Sequence, residues 1–172
     1  MLTLRCTRRL MDHFGIKPTP ASNLEPADTL LGDWYAGLVR LIGPPPLMLC
    51  VNELTRYAIV IPLEGGEDMA ILHACLTEGV CEAVRRVGAS RQTVRRVEKE
   101  YADGVRIAAT QSRSVLGTMN DLARLLEGHL GGLTGPKLQQ AFAEVEDYLN
   151  VAPHRPLGMD NAMMRLRGLC AK

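Results

Sequence analysis

The chain has 172 residues and a formal net charge of +1, so it forms one domain, or one domain with an appendage, and has no global attraction to nucleic acid or to an anionic membrane. Hydrophobic residues make up 47% of the chain, which is ordinary for a globular protein, and no stretch approaches the ~20 apolar residues of a membrane span. Because the five cysteines are odd in number and scattered, and no signal-peptide pattern precedes them, we expect reduced thiols in a cytoplasmic protein.

The first elements are a short strand and a short helix. Leu2–Thr7 alternates between apolar and polar residues and predicts a strand, and Arg8–Phe14 predicts a helix that ends at Gly15. Leu30–Ile42 fits either a helix or a strand that is buried on both faces. We favour a strand over Trp34–Leu41, because it leads through a proline-rich turn into another strand.

Two clear apolar strands follow, over Leu47–Val51 and Tyr57–Leu63. Asn52 lies in the turn between them and is expected to make a local Asx-type hydrogen bond. Because the turns are short, Trp34–Leu41 and these two strands predict an antiparallel meander.

The second half is predicted to be mainly helical. Asp68 and Ser90 are placed to cap two helices, since their side chains can accept from free N–H groups in the first turn. The alternating run Val105–Ala109 predicts a fifth strand. A helix near Arg113 follows it, with Ser112 or Ser114 as N-cap.

A last long helix is predicted over Lys137–Leu149, with Pro136 at its first position. Together these elements predict an α+β fold with an antiparallel or mixed sheet of about five strands and helices covering one face. Residues 1–150 would form a single domain, and residues 151–172 a C-terminal tail that can carry a short helix. Six apolar residues are expected to pack side by side on that sheet: Leu72, Leu76, Val80, Met119, Leu122 and Leu126.

The predicted helix over residues 113–126 carries a polar stripe at i, i+4, i+7 and i+11, formed by Arg113, Gly117, Asn120 and Arg124. Glycine costs about 0.8–1 kcal/mol relative to alanine inside a helix, so Gly117 suggests that a helix, a subunit or a ligand approaches the backbone there. Arg113 and Asn120 flank it with directional hydrogen-bonding groups. The alternative is a helix that packs on both sides, with Arg113 and Arg124 solvated or paired to local carboxylates.

A second basic patch precedes the fifth strand and comprises Arg91, Arg95, Arg96 and Lys99. Such a cluster can hold phosphate or nucleic acid. Glu98 and Glu100 interrupt it, however, and a solvated face with ion pairs within the helix is the favoured interpretation.

Two blocks of sequence resemble a family of small uncharacterised bacterial domains. The first is Gly32–Ala36 together with the strand and turn Leu49–Thr55, and the second is Ser112–Asp121, which carries an R-S-x-x-G-[ST]-M-N pattern. With the MLTLRCTRRL start, the resemblance covers roughly residues 1 to 127. It implies the layout of the fold and no activity. Gly37 stands where the resemblance leads us to expect a polar residue, often Asn.

No catalytic constellation is visible in the sequence. It lacks the phosphate-binding loop, the dinucleotide fingerprint, the nucleophile elbow and the zinc patterns, and His13, His73, His129 and His154 have no partner nearby in sequence. We therefore expect no metal and no cofactor.

Three functions remain open. The favoured one is a binding or regulatory module that uses the polar stripe, with a protein partner or self-association ahead of nucleic acid and no membrane. A homo-oligomeric scaffold joined through Gly117 is second. A small nuclease-like or toxin-like enzyme, with Arg113 as anion clamp and Asp121 or His129 as general base, is third.

Overall fold

The computed structural model describes residues 1–20, 23–24, 27–152 and 160–171. Five strands form one sheet in the order β4-β3-β2-β1-β5. The strands are β1 (Leu2–Cys6), β2 (Trp34–Val39), β3 (Leu47–Asn52), β4 (Ala58–Pro62) and β5 (Val105–Ala109). Six helices accompany them: α1 (Arg8–Phe14), α2 (Met69–Arg86), α3 (Arg91–Ala102), α4 (Arg113–Leu130), α5 (Gly135–Val151) and α6 (Ala162–Cys170).

The sheet is mixed. β1 lies between β2 and β5 and is parallel to both, whereas β2, β3 and β4 form an antiparallel meander. The predicted α+β class and five-strand sheet are confirmed. Trp34–Val39 is a strand and not a helix, because its residues pair along their length with β3 and its first four are buried.

The helix ends follow the predicted capping residues. Gly15 ends α1 in the left-handed region with φ 62°. Asp68, Ser90 and Ser112 accept hydrogen bonds from backbone N–H groups three residues later, at the starts of α2, α3 and α4. α4 continues to Leu130, four residues beyond the predicted end, and includes Gly128.

The helices cover both faces of the sheet, where the sequence led us to expect one. α1, α2, α3 and α6 contribute to a core on the side that we call the α2 side, together with Leu4, Trp34 and Met48. α4 and α5 contribute to a second core on the opposite side, the α4 side, with Tyr35 and Leu49. The physical reason is that β3 is buried along its whole length, and a strand buried on both faces needs a layer on each.

The predicted grouping of six core residues is therefore wrong in one respect. All six are buried, but Leu72, Leu76 and Val80 of α2 lie in the core of the α2 side. Their three predicted neighbours lie in the core of the α4 side: Met119, Leu122 and Leu126.

The C-terminal segment ends in α6, which buries Ala162, Leu166 and Cys170 in the core of the α2 side. α6 contacts α5 and α2. None of the described helices combines the length and apolar content that a membrane-spanning helix needs.

Candidate functional site

The four residues of the polar stripe all lie on the exposed surface of α4. A Cβ atom built on Gly117 meets no heavy atom within 4 Å, so the protein's own chain does not approach the helix there. Arg124 forms an exposed ion pair with Asp121 at 3.3 Å. Among the described residues, Arg113 and Asn120 have no side-chain hydrogen-bond partner.

A crevice lies beside this stripe, at the carboxyl ends of the parallel strands β1 and β2. β1 continues into α1 on the α2 side of the sheet, and β5 continues into α4 on the α4 side. The two connections therefore leave neighbouring strands in opposite directions.

We call this crevice the β1-end groove. Its volume is ≈ 350 Å³, which is at the lower end of the range for ligand pockets. Asn120 is the one member of the polar stripe that lines it. The lining residues are mostly apolar: Thr7, Arg9, Gly37, Leu38, Val39, Leu49, Leu116, Met119, Asn120 and Ala123.

Gly37 and Met119 lie against each other in the groove. A Cβ atom on Gly37 would stand 2.8 Å from Cε of Met119 and 3.4 Å from Cγ2 of Thr7. The Met119 methyl group thus occupies the place where a side chain at position 37 would begin. An Asn at this position would require Met119 to move, which its flexible side chain permits.

A network of hydrogen bonds holds the start of α4 against the sheet. The Tyr35 hydroxyl accepts from the Ser112 N–H at 3.2 Å and donates to the Glu53 carboxylate at 3.4 Å. Burial raises the pKa of Tyr35, and the charge of Glu53 adds to this rise. The phenol therefore stays protonated and remains a donor to Glu53.

Arg56 and Arg5 extend this network on either side. Arg56 donates to the carbonyl oxygen of Glu53 and, at 3.3 Å, to Oγ of Ser114. Its φ of 62° is left-handed, which is uncommon for a residue other than glycine. Arg5 forms a 2.7 Å ion pair with Asp33 in a largely buried position. The two sequence blocks that carried the family resemblance thus meet at the start of α4.

Three exposed arginines belong to the segments that form the groove or adjoin them. Arg9 lines the groove, Arg40 directly follows β2, and Arg113 begins α4; all three are exposed. Within the described part of the chain, none of the three forms an ion pair. The nearby Asp12 contacts Arg8 at 3.9 Å.

The second basic patch lies on α3, on the α2 side of the molecule. Arg96 pairs with Glu100 at 2.6 Å. Glu98, which interrupts the patch, pairs with Arg85 at 2.6 Å. The other members, Arg91, Arg95 and Lys99, are exposed.

The two candidate general bases do not lie beside Arg113. Asp121 pairs with Arg124. His129 stacks on the ring of Tyr148 with centroids 4.8 Å apart, and sixteen residues of helix separate it from Arg113, or about 24 Å at 1.5 Å per residue. No group of three or more potential metal ligands occurs among the residues that the structure describes; His154 lies outside them.

A family model described as a domain of unknown function, DUF6933, matches residues 3–162. The chain belongs to the DUF6933 family. A comparison with curated proteins found no match. The DUF6933 match continues through α5, so the family domain extends well past residue 127, where the sequence resemblance had been expected to end. The family description states no activity, and the function of this DUF6933 domain has to be argued from its geometry.

Two residues of the groove were singled out from the sequence: Asn120 from helical spacing, and Gly37 as a departure from the family resemblance. Arg9 and Leu38 were missed, since they belong to no motif. They reach the groove only because β1 and β2 are neighbours in the sheet, and a spacing pattern within one helix contains no information about such pairing.

Proposed function

We propose that this DUF6933 domain is a binding module, whose β1-end groove and adjoining polar stripe take a segment of a partner protein that is rich in apolar and acidic residues. The observation that carries the proposal is an apolar groove with exposed arginines around it. Leu116 and Met119 form part of the apolar wall of the groove. Arg9 and Arg113 are positively charged and have no carboxylate partner in the described chain. An apolar centre with a charged rim is the usual anatomy of a protein interface.

A protein segment fits this groove better than a nucleic acid does. Sites for single-stranded nucleic acid combine a cationic groove with aromatic side chains for stacking, and the groove has no aromatic residue among its lining. On α3, two of the acidic residues that interrupt the basic patch already hold arginines, Glu98 with Arg85 and Glu100 with Arg96. The five cysteines are free thiols, in keeping with the cytoplasmic setting that we expect for the complex.

The experiment measures the fluorescence anisotropy of labelled decapeptides. Two probes contain five Leu and five Glu, one in strict alternation and one with leucines at helical spacing, and two counterparts carry Lys in place of Glu. We expect at least one Glu probe to bind about tenfold more tightly than its Lys counterpart, with an affinity that falls as salt screens the arginines.

Matched variants locate the binding. Arg9→Glu reverses a charge at the groove. We expect it to weaken binding of the Glu probes roughly three- to tenfold, which is the size of effect typical of an exposed charge pair. Arg95→Glu makes the same change on α3 and should leave binding unchanged. Ala123→Trp fills the groove and should weaken binding. Ala143→Trp adds the same side chain to an exposed position of α5 and should not.

Two outcomes would overturn the proposal. The first is that neither Glu probe binds more tightly than its Lys counterpart. The second is equal sensitivity to Arg9→Glu and Arg95→Glu. Concentration-dependent dimers that Gly117→Leu converts to monomers would instead assign the polar stripe to self-association.

A further inference from the structure

At the groove, β2 extends beyond the end of β1. The parallel ladder between them ends where Cys6 lies opposite Ala36, and its last hydrogen bond runs from the Thr7 N–H to the Ala36 carbonyl at 2.8 Å. β2 continues for three more residues, Gly37–Val39, which pair with β3 on their other side. On the side of β1, this extension has no neighbouring strand.

The backbone of Leu38 faces that unoccupied side. N–H and C=O groups of successive strand residues point alternately to the two neighbouring strands. Because the Ala36 carbonyl points to β1, the backbone groups of Gly37 point to β3 and those of Leu38 point to the side that β1 has left. Within the described chain, no hydrogen bond to these two Leu38 groups occurs. They form a short free edge of the sheet.

The β1-end groove runs along this edge. Gly37 has no side chain, and the Met119 methyl group packs against it, so on the α4 side Leu116, Met119 and Ala123 form an apolar wall close to β2. Arg9 stands on α1, the helix that packs on the opposite side of the sheet. The two sides of the space next to Leu38 therefore differ, one being apolar and the other cationic.

We propose that the segment bound in the groove is extended and adds to the sheet as a short strand at Leu38. Its backbone accepts from the Leu38 N–H and donates to the Leu38 carbonyl, as in other complexes that form by strand addition. Successive side chains of a strand point to opposite faces. Apolar residues at alternate positions therefore meet Leu116 and Met119, and acidic residues at the positions between them face Arg9. This inference rests on the proposed function and names the conformation of its partner.

The two Glu probes described above separate the two proposals. They have the same composition, and only the alternating one matches a strand. We expect it to bind about tenfold more tightly than the probe with helical spacing. Equal or tighter binding of the helical probe would overturn strand addition and leave the binding function standing. Failure of both probes to exceed their Lys counterparts would overturn the binding function itself.

A variant of the protein tests the backbone contact. Leu38→Pro removes the N–H that the peptide would use, and proline is tolerated at an edge position because no ladder hydrogen bond of the free protein is lost. We expect binding of the alternating probe to weaken roughly three- to tenfold, as for one lost hydrogen bond. Leu38→Ala shortens the same side chain but keeps the N–H, so it should bind the probe more tightly than Leu38→Pro does. Equal binding by the two variants would contradict the inference.

Amide hydrogen exchange tests the same contact in the unaltered protein. This test does not depend on whether the proline variant folds. In the free protein, the Leu38 amide should exchange readily, because it has no partner in the described chain. Saturation with the alternating probe should slow its exchange about tenfold or more. Unchanged exchange at Leu38 in a saturated complex would overturn strand addition.

Discussion

Two polar residues of α5 close the outer edge of the sheet at β4. Asn150 is fully buried, and its amide both accepts from the N–H of Ala58 at 2.7 Å and donates to the carbonyl of Ala58 at 2.8 Å. The Glu146 carboxylate accepts from the Val60 N–H at 2.9 Å. Pro62 ends the strand and has no N–H. Because an unpaired edge invites association with other strands, these side chains leave β4 closed and distinguish it from the free edge at Leu38.

Glu146 makes stability depend on pH. Burial raises its pKa above the ordinary value, against the opposing effects of the Val60 N–H and the Arg86 guanidinium. The folded protein therefore binds this proton more tightly than the unfolded chain does. The stabilising contribution of the protonated carboxyl is present at low pH, and it is lost as the pH rises from the unfolded pKa through the folded pKa.

Glu146→Gln removes this titration and keeps a carbonyl acceptor for Val60. We expect the unfolding free energy of the parent protein, relative to the variant, to fall as the pH increases from about 4 to about 8. Urea denaturation of both proteins at several pH values measures the difference. A difference that stays constant, or that grows with pH, would contradict the raised pKa.

At the scale of elements, α4 connects the stability of the fold with the candidate site. One side of the helix packs in the core through Val115, Leu122 and Leu126. A second side, with Leu116 and Ala123, forms a wall of the groove. The third side carries the polar stripe and faces solvent. Changes on these three sides should therefore have separate effects.

Gly117 lies on the solvent side, in the interior of the helix. Because a Cβ atom would meet nothing within 4 Å, Gly117→Ala should raise the unfolding free energy by about 0.8–1 kcal/mol, the difference in helix propensity. Thermal or urea denaturation measures it. Gly128→Ala is a matched control, since this glycine is also helical and has open space around it. A loss of stability at position 117 alone would contradict the open surface.

Leu122 lies on the core side and is fully buried. Leu122→Ala should lower the unfolding free energy by about 2–5 kcal/mol, because it removes buried methyl groups and leaves a cavity. Ala substitution of the exposed Leu54 provides a control for the same chemical change at the surface. A cost below about 1 kcal/mol for Leu122→Ala would show that this side of α4 is not part of the core.

The strands and helix ends were predictable because their causes are local. Alternation identifies strands such as Val105–Ala109, and Ser112 acts as a cap through an N–H group only three residues away. The side of the sheet on which each helix packs was not predictable from periodicity. α2 and α4 both have an apolar stripe, and a stripe does not say which face it covers. The continuous apolar run of β3 was the available signal for two covered faces.

At the scale of the whole molecule, the candidate site arises from topology. β1 lies between two parallel neighbours and ends before β2 does, and the chain after it continues into α1 on the α2 side, opposite α4. These three facts create the groove, and each depends on pairing between segments that are far apart in sequence. The residues that line it come from α1 and its N-cap Thr7, from β2 and β3, and from α4. The polar stripe could be predicted from helical spacing alone, but the groove beside it could not.

Binding at the β1-end groove is tested most directly by a nitrogen–proton NMR titration of the isotope-labelled protein with the alternating Leu–Glu decapeptide. We expect the chemical-shift changes to concentrate on the amides around the groove, at Thr7, Gly37, Leu38, Leu116 and Asn120. We expect little change along α3. Changes centred on the basic patch of α3, or no change at saturating peptide, would contradict the assignment of the β1-end groove as the binding site.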